Sequence, residues 1–565
     1  MSQPAVDALA QKHAPRLTRA IEAIRARDHW SPFVESPSRK LHPPGAPAEG
    51  RQAFEALLDK PFPLGQLHGT VVRPPETSPF TGQPLGIDYE LTPVDEATRR
   101  ASDALGAWQR LGPTQRVGVC MEMLDRLSTQ CFLNAHATMH TAGQAFMMAF
   151  AGSGANSLDR GLEALAMAAL AMDQLPSTSV FVRRFGRGEP VTLDKRFHVV
   201  GRGIAAVFAC ATYPAWNAYP AIFANLAVGN PVLLKPHPAA VLPMALAART
   251  MRQVLADVGL PADLIQLVLD PPDRLVGLEL VDHPDVAIVD FTGSQRFGAV
   301  VEARHRRAYT ETSGCNPVVL ESTHDLDATL RAIAQSLCIF SAQMCTAAQN
   351  LFIPSEGVQT PRGRVPFDDV VERLVGAVDA WVASPATAAA ICGAVQAQAT
   401  VDLLDQLADS VPPASLLRRH TPYPHPEHPE ARTATPLLLR LDPEASELHR
   451  REHFGPVGIV LPTADRGRAL RHATRDAATC GCISAYLYST DDAFVDEAER
   501  AFWEAGVSLG VNLHRQTPIN YAAAFSDVHV TGLNPAGTAS LTDLAFVADR
   551  FRVVQSKRER PPGKG

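Results

Sequence analysis

From Val199 onward, short apolar runs alternate with helical segments, and a parallel sheet covered by helices on both faces accommodates that rhythm. Gly203–Ala211 reads as a strand, with a helix near 218–228. Pro231–Lys235 is the next strand, with a helix at 242–258. Leu264–Leu269 follows, then a short helix near 273–281. Val286–Phe291 precedes a helix that opens at Ser294. A sheet of this kind binds ligands beyond the carboxyl ends of its strands. A second alternating region runs from about 316 to 515. It holds the strands Pro317–Leu320, Leu351–Ile353, Leu437–Leu441, Val457–Leu461 and Ile483–Tyr488, and a helix near 325–340.

The stretch between Arg202 and Lys235 carries no formal charge and is long enough to suggest a membrane span. Pro214, Pro220, Asn217, Asn225 and Asn230 interrupt it, so a buried strand–loop–helix–strand unit is the better reading. Upstream, Ala5, Leu9, Leu17, Ile21 and Ile24 mark a helix within residues 1–30, a Pro-rich connection runs from Ser31 to about Ala48, and residues 95–175 read as several helices. Residues 410–432 read as a Pro/His-rich loop. Its prolines prevent His425 and His428 from sharing a helix face, so a surface loop is favoured over a metal site.

A chain of 565 residues exceeds one ordinary core. Net charge is −7, which indicates no dominant basic face for nucleic acid. The nine cysteines are scattered and odd in number, and Cys480-Gly481-Cys482 is too tight for a zinc pair. Free thiols in a reducing, cytoplasmic setting are expected. The start Met1–Asp7 lacks the basic and apolar regions of a signal peptide.

Cys345 and Glu311 form the most informative pair. A thiolate attacks a carbonyl carbon, and a carboxylate activates the water that later releases the acyl group. A buried free cysteine is otherwise a small core residue. Phe291-Thr292-Gly293-Ser294 ends a strand and opens a helix. Gly293 permits close backbone approach and the free amides there suit an anion, although a plain turn and helix cap is the alternative. Asn217, in Tyr213-Pro214-Ala215-Trp216-Asn217, offers an amide to a developing oxyanion or merely ties a Pro-rich turn. Lys235-Pro236 ends a strand, where a lysine suits cofactor hydroxyls or phosphate and equally a solvated strand end. Glu452-His453-Phe454-Gly455-Pro456-Val457 is otherwise a turn.

Together, in this order and spacing, these segments resemble the aldehyde dehydrogenase superfamily over roughly residues 80–550. The family's Phe-Thr-Gly-Ser turn stands unchanged at 291–294. Its Glu-x-x-Gly motif is similar to Glu311–Gly314, and its Glu-x-Phe-Gly-Pro-Val motif is intact at 452–457. Its Gly-Gln-x-Cys motif is similar to Ala342–Cys345, with Ala in place of Gly. Trp30–Phe33, Met139–Gln144, Tyr309–Asn316 and Ser341–Asn350 further resemble the PaaN-type branch of phenylacetic acid degradation, without its hydratase domain.

The resemblance implies an α/β fold with a Rossmann-like cofactor domain, an α/β catalytic domain and a β oligomerisation arm. It implies a helical extension at 1–75, a cofactor unit at 76–187 with 202–315, a catalytic unit at 316–514, an arm at 188–201 with 515–555, and a tail at 556–565. Val528–Val530 and Phe551–Val554 are β-prone enough for such an arm, and equally for strands within one subunit. It implies Cys345 as nucleophile, Glu311 as general base and Asn217 as oxyanion donor. Lys235, Gly293, Ser294, Gly298, Trp216, Glu452 and Phe454 are implied at the cofactor, and no metal. Pro238 stands where many NAD-using members place a glutamate, which points to NADP, with NAD as the alternative. The implied substrate is a semialdehyde, plausibly coenzyme A-linked, and the implied assembly a homodimer or homotetramer. Glu311 favours hydrolysis to a free acid. A CoA-acylating enzyme and a catalytically silent aldehyde-binding scaffold are the competing readings.

Overall fold

A computed structural model of the chain describes residues 3–66, 70–312, 314–515 and 518–561. The chain passes from one sheet to a second between Thr312 and Pro317. The first has five parallel strands in the order Ile265–Leu267, Val232–Pro236, Ile204–Ala209, Val286–Gly293, Ala308–Thr312. The strand first in sequence lies at the centre, and the chain winds outward from it in both directions. The crevice at this reversal is where such sheets bind ligands.

Both faces of that sheet are covered, which explains its continuous apolar runs. Val207, Ala209, Val232 and Leu234 pack with the Pro214–Val228 and Leu242–Asp257 helices. Ala206, Phe208 and Leu233 face the other way, against Val94, Ala97 and Ala101 of the Val94–Gln109 helix. The Pro214–Val228 helix starts four residues earlier than its apolar pattern suggests. Pro214 fits the first helical position, and Gly229, at φ 106°, ends the helix. The short helix expected near 273–281 is confined to Gly277–Asp282.

The second sheet has seven strands in the order Leu416–Arg418, Leu437–Arg440, Val457–Thr463, Asn350–Pro354, Pro317–Leu320, Ser484–Tyr488, Ser508–Val511. Only the first pair is antiparallel. Leu416–Arg418 lies inside the segment expected to be loop throughout. Within that segment His425 and His428 are half-buried, their rings 5.4 and 5.1 Å from that of Phe80.

A three-stranded antiparallel sheet joins Phe551–Glu559, Val191–Gly201 and Thr178–Arg183. Three expectations change here. Thr178–Arg183 belongs to this sheet and not to the cofactor unit. Ser556–Glu559 is strand and not tail, while 562–565 lie outside the described residues. Val528–Val530 forms no strand, and 518–550 packs elsewhere. The Gln3–Ala26 helix lies on the body, with Val6, Ala20, Ala23 and Ile24 in the main core. His13 Nε2 lies 2.9 Å from Glu122. Among the described residues no single helix is long and apolar enough to cross a membrane.

Candidate active site

Glu311 sits at the end of Ala308–Thr312, the edge strand of the first sheet. The chain then crosses to the second sheet through Gly314, and Ser313 lies outside the described residues. A Cβ on Gly314 would stand 2.1 Å from the Gly481 carbonyl oxygen, while Cys315 N–H donates to that same oxygen at 2.9 Å. Only glycine tolerates this approach, which explains why glycine follows Glu311 by three residues.

Cys345 follows the Leu326–Cys338 helix and a tight turn in which Phe340, Ser341 and Ala342 all have left-handed backbone, at φ 51°, 49° and 48°. Side chains brace the turn. Ser341 Oγ donates to Cys392 O at 3.1 Å, and Gln343 Nε2 to Ala394 O at 3.2 Å. Beyond it, Asn316 Nδ2 donates to Cys345 O at 2.7 Å and Ala347 O at 2.9 Å, and Asn316 Oδ1 accepts from Ile483 N at 3.0 Å. Asn316 thus ties the cysteine loop to both the inter-sheet crossing and the next strand.

Cys345, Glu311 and Asn217 converge. Asn217, on the first turns of Pro214–Val228, donates through Nδ2 to Glu311 Oε1 at 2.9 Å. One of the two amide N–H groups is therefore on the carboxylate, and the same nitrogen carries a second donor. A fourth residue completes the cluster. His529 Nε2 lies 3.0 Å from Glu311 Oε1 and 3.9 Å from Cys345 Sγ. Glu311 Oε2, also buried, has no hydrogen-bond partner among the described residues. Glu311, Asn217 and His529 are 3%, 5% and 2% exposed. Burial, and next the Glu311 charge, push the Cys345 thiol well above its ordinary value.

His529 is not legible in the sequence, because its segment is β-prone and falls within the stretch expected to form the arm. The segment is instead held over the site. Left-handed turns at Phe525 and Val530 flank the histidine. Phe525 N–H donates to Glu163 Oε1 at 2.9 Å, and Glu163 Oε2 pairs with Arg160 at 2.7 Å, both wholly buried. The Arg160 guanidinium lies 4.9 Å from the Trp216 ring centroid, and the Trp216 ring meets His529 edge-on at 4.6 Å. Trp216 therefore supports the histidine.

The residues expected at a cofactor fall into separate places. Lys235 is buried, and its Nζ donates to Asp270 Oδ2 at 2.7 Å and to Pro236 O at 2.9 Å. Burial lowers the Lys235 ammonium from its usual range, and Asp270 opposes the shift. Asp270, three residues past the neighbouring Ile265–Leu267 strand, was not singled out from sequence. The signal available was an acid following an apolar run beside the lysine's strand. Ser294 Oγ accepts from Phe297 N and caps the Gln295–Arg304 helix. Gly293 ends its strand facing the Phe291 ring, and a Cβ on Gly298 would stand 2.8 Å from Thr312 Cγ2. Gly298 therefore allows its helix to lie close on the Glu311 strand. Glu452 and Phe454 line a small cavity with Gly314, Asn316 and Met344. Burial alone pushes the Glu452 carboxyl up to about 7.

Residues 73–535 match the sequence model described as the aldehyde dehydrogenase family. A solved NAD-dependent aldehyde dehydrogenase from Burkholderia multivorans is 39% identical, with 98% of this chain and 99% of that one covered and a TM-score of 0.95. A putative methylmalonate-semialdehyde dehydrogenase from Sinorhizobium meliloti, solved with NAD, shares the fold at 19% identity, covering 88% of this chain and 96% of that one, with a TM-score of 0.69. Among curated proteins, a succinate-semialdehyde dehydrogenase [NADP(+)] from Deinococcus radiodurans is 29% identical over 334 residues. That match covers 56% of this chain and spans 65% of the relative's own length.

Proposed function

Because the chain belongs to the aldehyde dehydrogenase family, we propose that it oxidises an aldehyde to a carboxylic acid through a covalent intermediate on Cys345. The observation that carries this reading is the meeting of thiol, carboxylate and amide at one buried point. Cys345 loses its proton to solvent, and its sulfur bonds to the aldehyde carbon. The carbonyl oxygen becomes an oxyanion, which the second N–H of the Asn217 amide and the Cys345 N–H hold. Loss of such a donor typically costs ~100- to 1000-fold in turnover. After hydride leaves, the carbon is a thioester. Glu311 then takes a proton from water, whose oxygen bonds to that carbon. The C–S bond breaks and the thiol regains a proton.

A nicotinamide dinucleotide supplies hydride acceptance when bound. We assign Glu452 and Phe454 to its riboside end, the Gly293–Ser294 turn and Gly298 to its middle, and Lys235 to its adenosine end, with Trp216 supporting the site wall. The identity of the dinucleotide turns on two residues. Pro238 removes one carboxylate and so favours NADP. Asp270 restores a carboxylate 2.7 Å from Lys235, where it would accept from ribose hydroxyls and repel a 2′-phosphate. The acid's side chain is 9% exposed and fixed in an ion pair with Lys235, so we favour NAD. Asp270→Asn should move the NADP-to-NAD ratio of kcat/KM toward NADP by ~10-fold. An unchanged ratio would remove Asp270 from cofactor choice.

The proposed substrate is a semialdehyde. Its support is the naming of relatives as succinate-semialdehyde and N-succinylglutamate 5-semialdehyde dehydrogenases. A coenzyme A-linked semialdehyde from phenylacetate ring opening rests on the branch-specific segments noted above. Self-association through the three-stranded sheet is supported by exposed Val180, Val182 and Val554. The test is to incubate the full chain with the ring-opened CoA semialdehyde and with simple aldehydes, using NAD or NADP, beside Cys345→Ala. Cys345-dependent turnover fastest with the CoA semialdehyde supports the whole reading. Turnover with simple aldehydes alone keeps the chemistry and removes the pathway. A thioester product with added coenzyme A would replace hydrolysis by acyl transfer.

A further inference from the structure

We propose that Cys345, Glu311 and His529 form a binding site for a thiophilic divalent cation of the zinc class, and that its occupation switches the nucleophile off. The inhibitory half rests on the function proposed above, whereas the binding half does not. One ligand atom from each residue lies within 4.8 Å of the other two. A tetrahedral zinc ion, with bonds of ~2.0–2.3 Å to nitrogen, oxygen and sulfur, needs donor–donor edges of roughly 3.3–3.8 Å. The measured edges bracket that range, with His529 Nε2 3.0 Å from Glu311 Oε1 and 3.9 Å from Cys345 Sγ. Adjustments of a few tenths of an ångström bring these two edges onto it, and the third, between Cys345 and Glu311, is at most 4.8 Å.

Three further features point to a ligand. Glu311 Oε2 is buried without a partner, while Oε1 already accepts from Asn217 and His529. A cation that binds at Oε1, the oxygen whose edge to His529 is measured, leaves Oε2 to accept the Asn217 amide as an outer-sphere brace of the kind that tunes metal sites. The donors come from three distant parts of the chain, each fixed independently: Cys345 by Asn316, Glu311 by its strand, and His529 by Trp216. They are therefore held in place before any ion arrives. The charges also balance, because a thiolate, a carboxylate and a neutral imidazole match a dication.

The binding step is balanced. The Cys345 S–H proton goes to solvent as the metal–sulfur bond forms. The His529 Nε2 proton moves to the Nδ1 position through solvent, which frees the Nε2 lone pair. No electrons are transferred. Three protein ligands leave one coordination position for water. The sulfur lone pair needed for attack on a carbonyl is then engaged, and Glu311 cannot reach a thioester.

The test titrates the chelator-stripped full chain with cadmium, whose bond to a thiolate gives a near-ultraviolet charge-transfer band, followed by displacement with zinc. We expect one equivalent of band that Cys345→Ser abolishes. Outer-shell partners are worth ~10–100-fold in metal affinity, so loss of a direct ligand in His529→Gln should weaken binding by more than ~10-fold. Glu311→Gln serves as the second variant should His529→Gln not fold. Zinc should stop turnover and a chelator should restore it. A band that survives in Cys345→Ser, or affinity unchanged in both ligand variants, overturns the site. A Cys345-dependent band in a chain inactive toward every aldehyde keeps the metal site and fails the function. Turnover with no such band does the reverse.

Discussion

Ala342 carries a cost that its neighbours allow. At φ 48° and nearly fully buried, it holds left-handed backbone as a residue with a Cβ. That conformation costs ~1–2 kcal/mol outside glycine, and losing a buried methyl group costs ~0.8 kcal/mol. Ala342→Gly should therefore stabilise the chain by up to ~1 kcal/mol, read as a higher denaturant midpoint. A lower midpoint would show that the methyl contact outweighs the strain. Glu311 acts on its neighbour through charge. The Cys345 thiol is raised by burial and by the carboxylate, so its thiolate gains population only as pH rises into the alkaline range. Glu311→Gln removes one cause and moves that window down. Cys345 should then alkylate faster at neutral pH even as aldehyde turnover falls. The rate must be read by peptide mapping, because half-buried Cys480, drawn down to about 6 chiefly by a hydrogen bond from Cys315, reacts in parallel. A slower Cys345 reaction in the variant would contradict the assigned electrostatics.

At the scale of elements, what sequence reveals depends on the distance over which a feature is determined. Strands buried on both faces, such as Val232–Pro236 and Pro317–Leu320, read as continuous apolar runs because two helical layers demand it. Leu416–Arg418 escaped notice because three residues show no alternation, and Thr178–Arg183 because it lies at a sheet edge. The site was legible where local geometry demands a residue type: Gly314 for its approach to Gly481, and Ser294 for its helix cap. His529 and Asp270 were not, since each gains its meaning from a partner brought near by folding. His529 meets Glu311 across 218 residues, and Asp270 meets Lys235 across 35.

At the scale of the whole molecule, a buried arginine ties the first sheet to the start of the three-stranded one. Arg550 donates from both terminal nitrogens to Asp290, at 2.7 and 2.6 Å, and its guanidinium lies 4.0 Å from the Tyr309 ring centroid. Asp290 belongs to the central part of the first sheet, and Arg550 immediately precedes the Phe551–Glu559 strand. Removing one partner of a buried pair typically costs ~3–5 kcal/mol, because the other charge is left without compensation. Arg550→Met should destabilise by about that amount in chemical denaturation. A loss below ~1 kcal/mol would mean that Asp290 finds a proton or another partner.

The covering of the Glu311 strand by Ala536–Thr538 also dictates an order of events. Thr312 N–H donates to Ala536 O at 2.7 Å, and Thr538 N–H to Thr310 O at 3.1 Å, so the strand's outer edge is closed by a segment synthesised more than 200 residues later. Until that segment emerges, a nascent chain exposes an unpaired β edge beside a reactive thiol, and contacts of such long range are slow to form. The competent centre is therefore among the last things this polypeptide completes. Its half-made form is the state in which aggregation and mispairing are most dangerous, and in which a chaperone has most to protect.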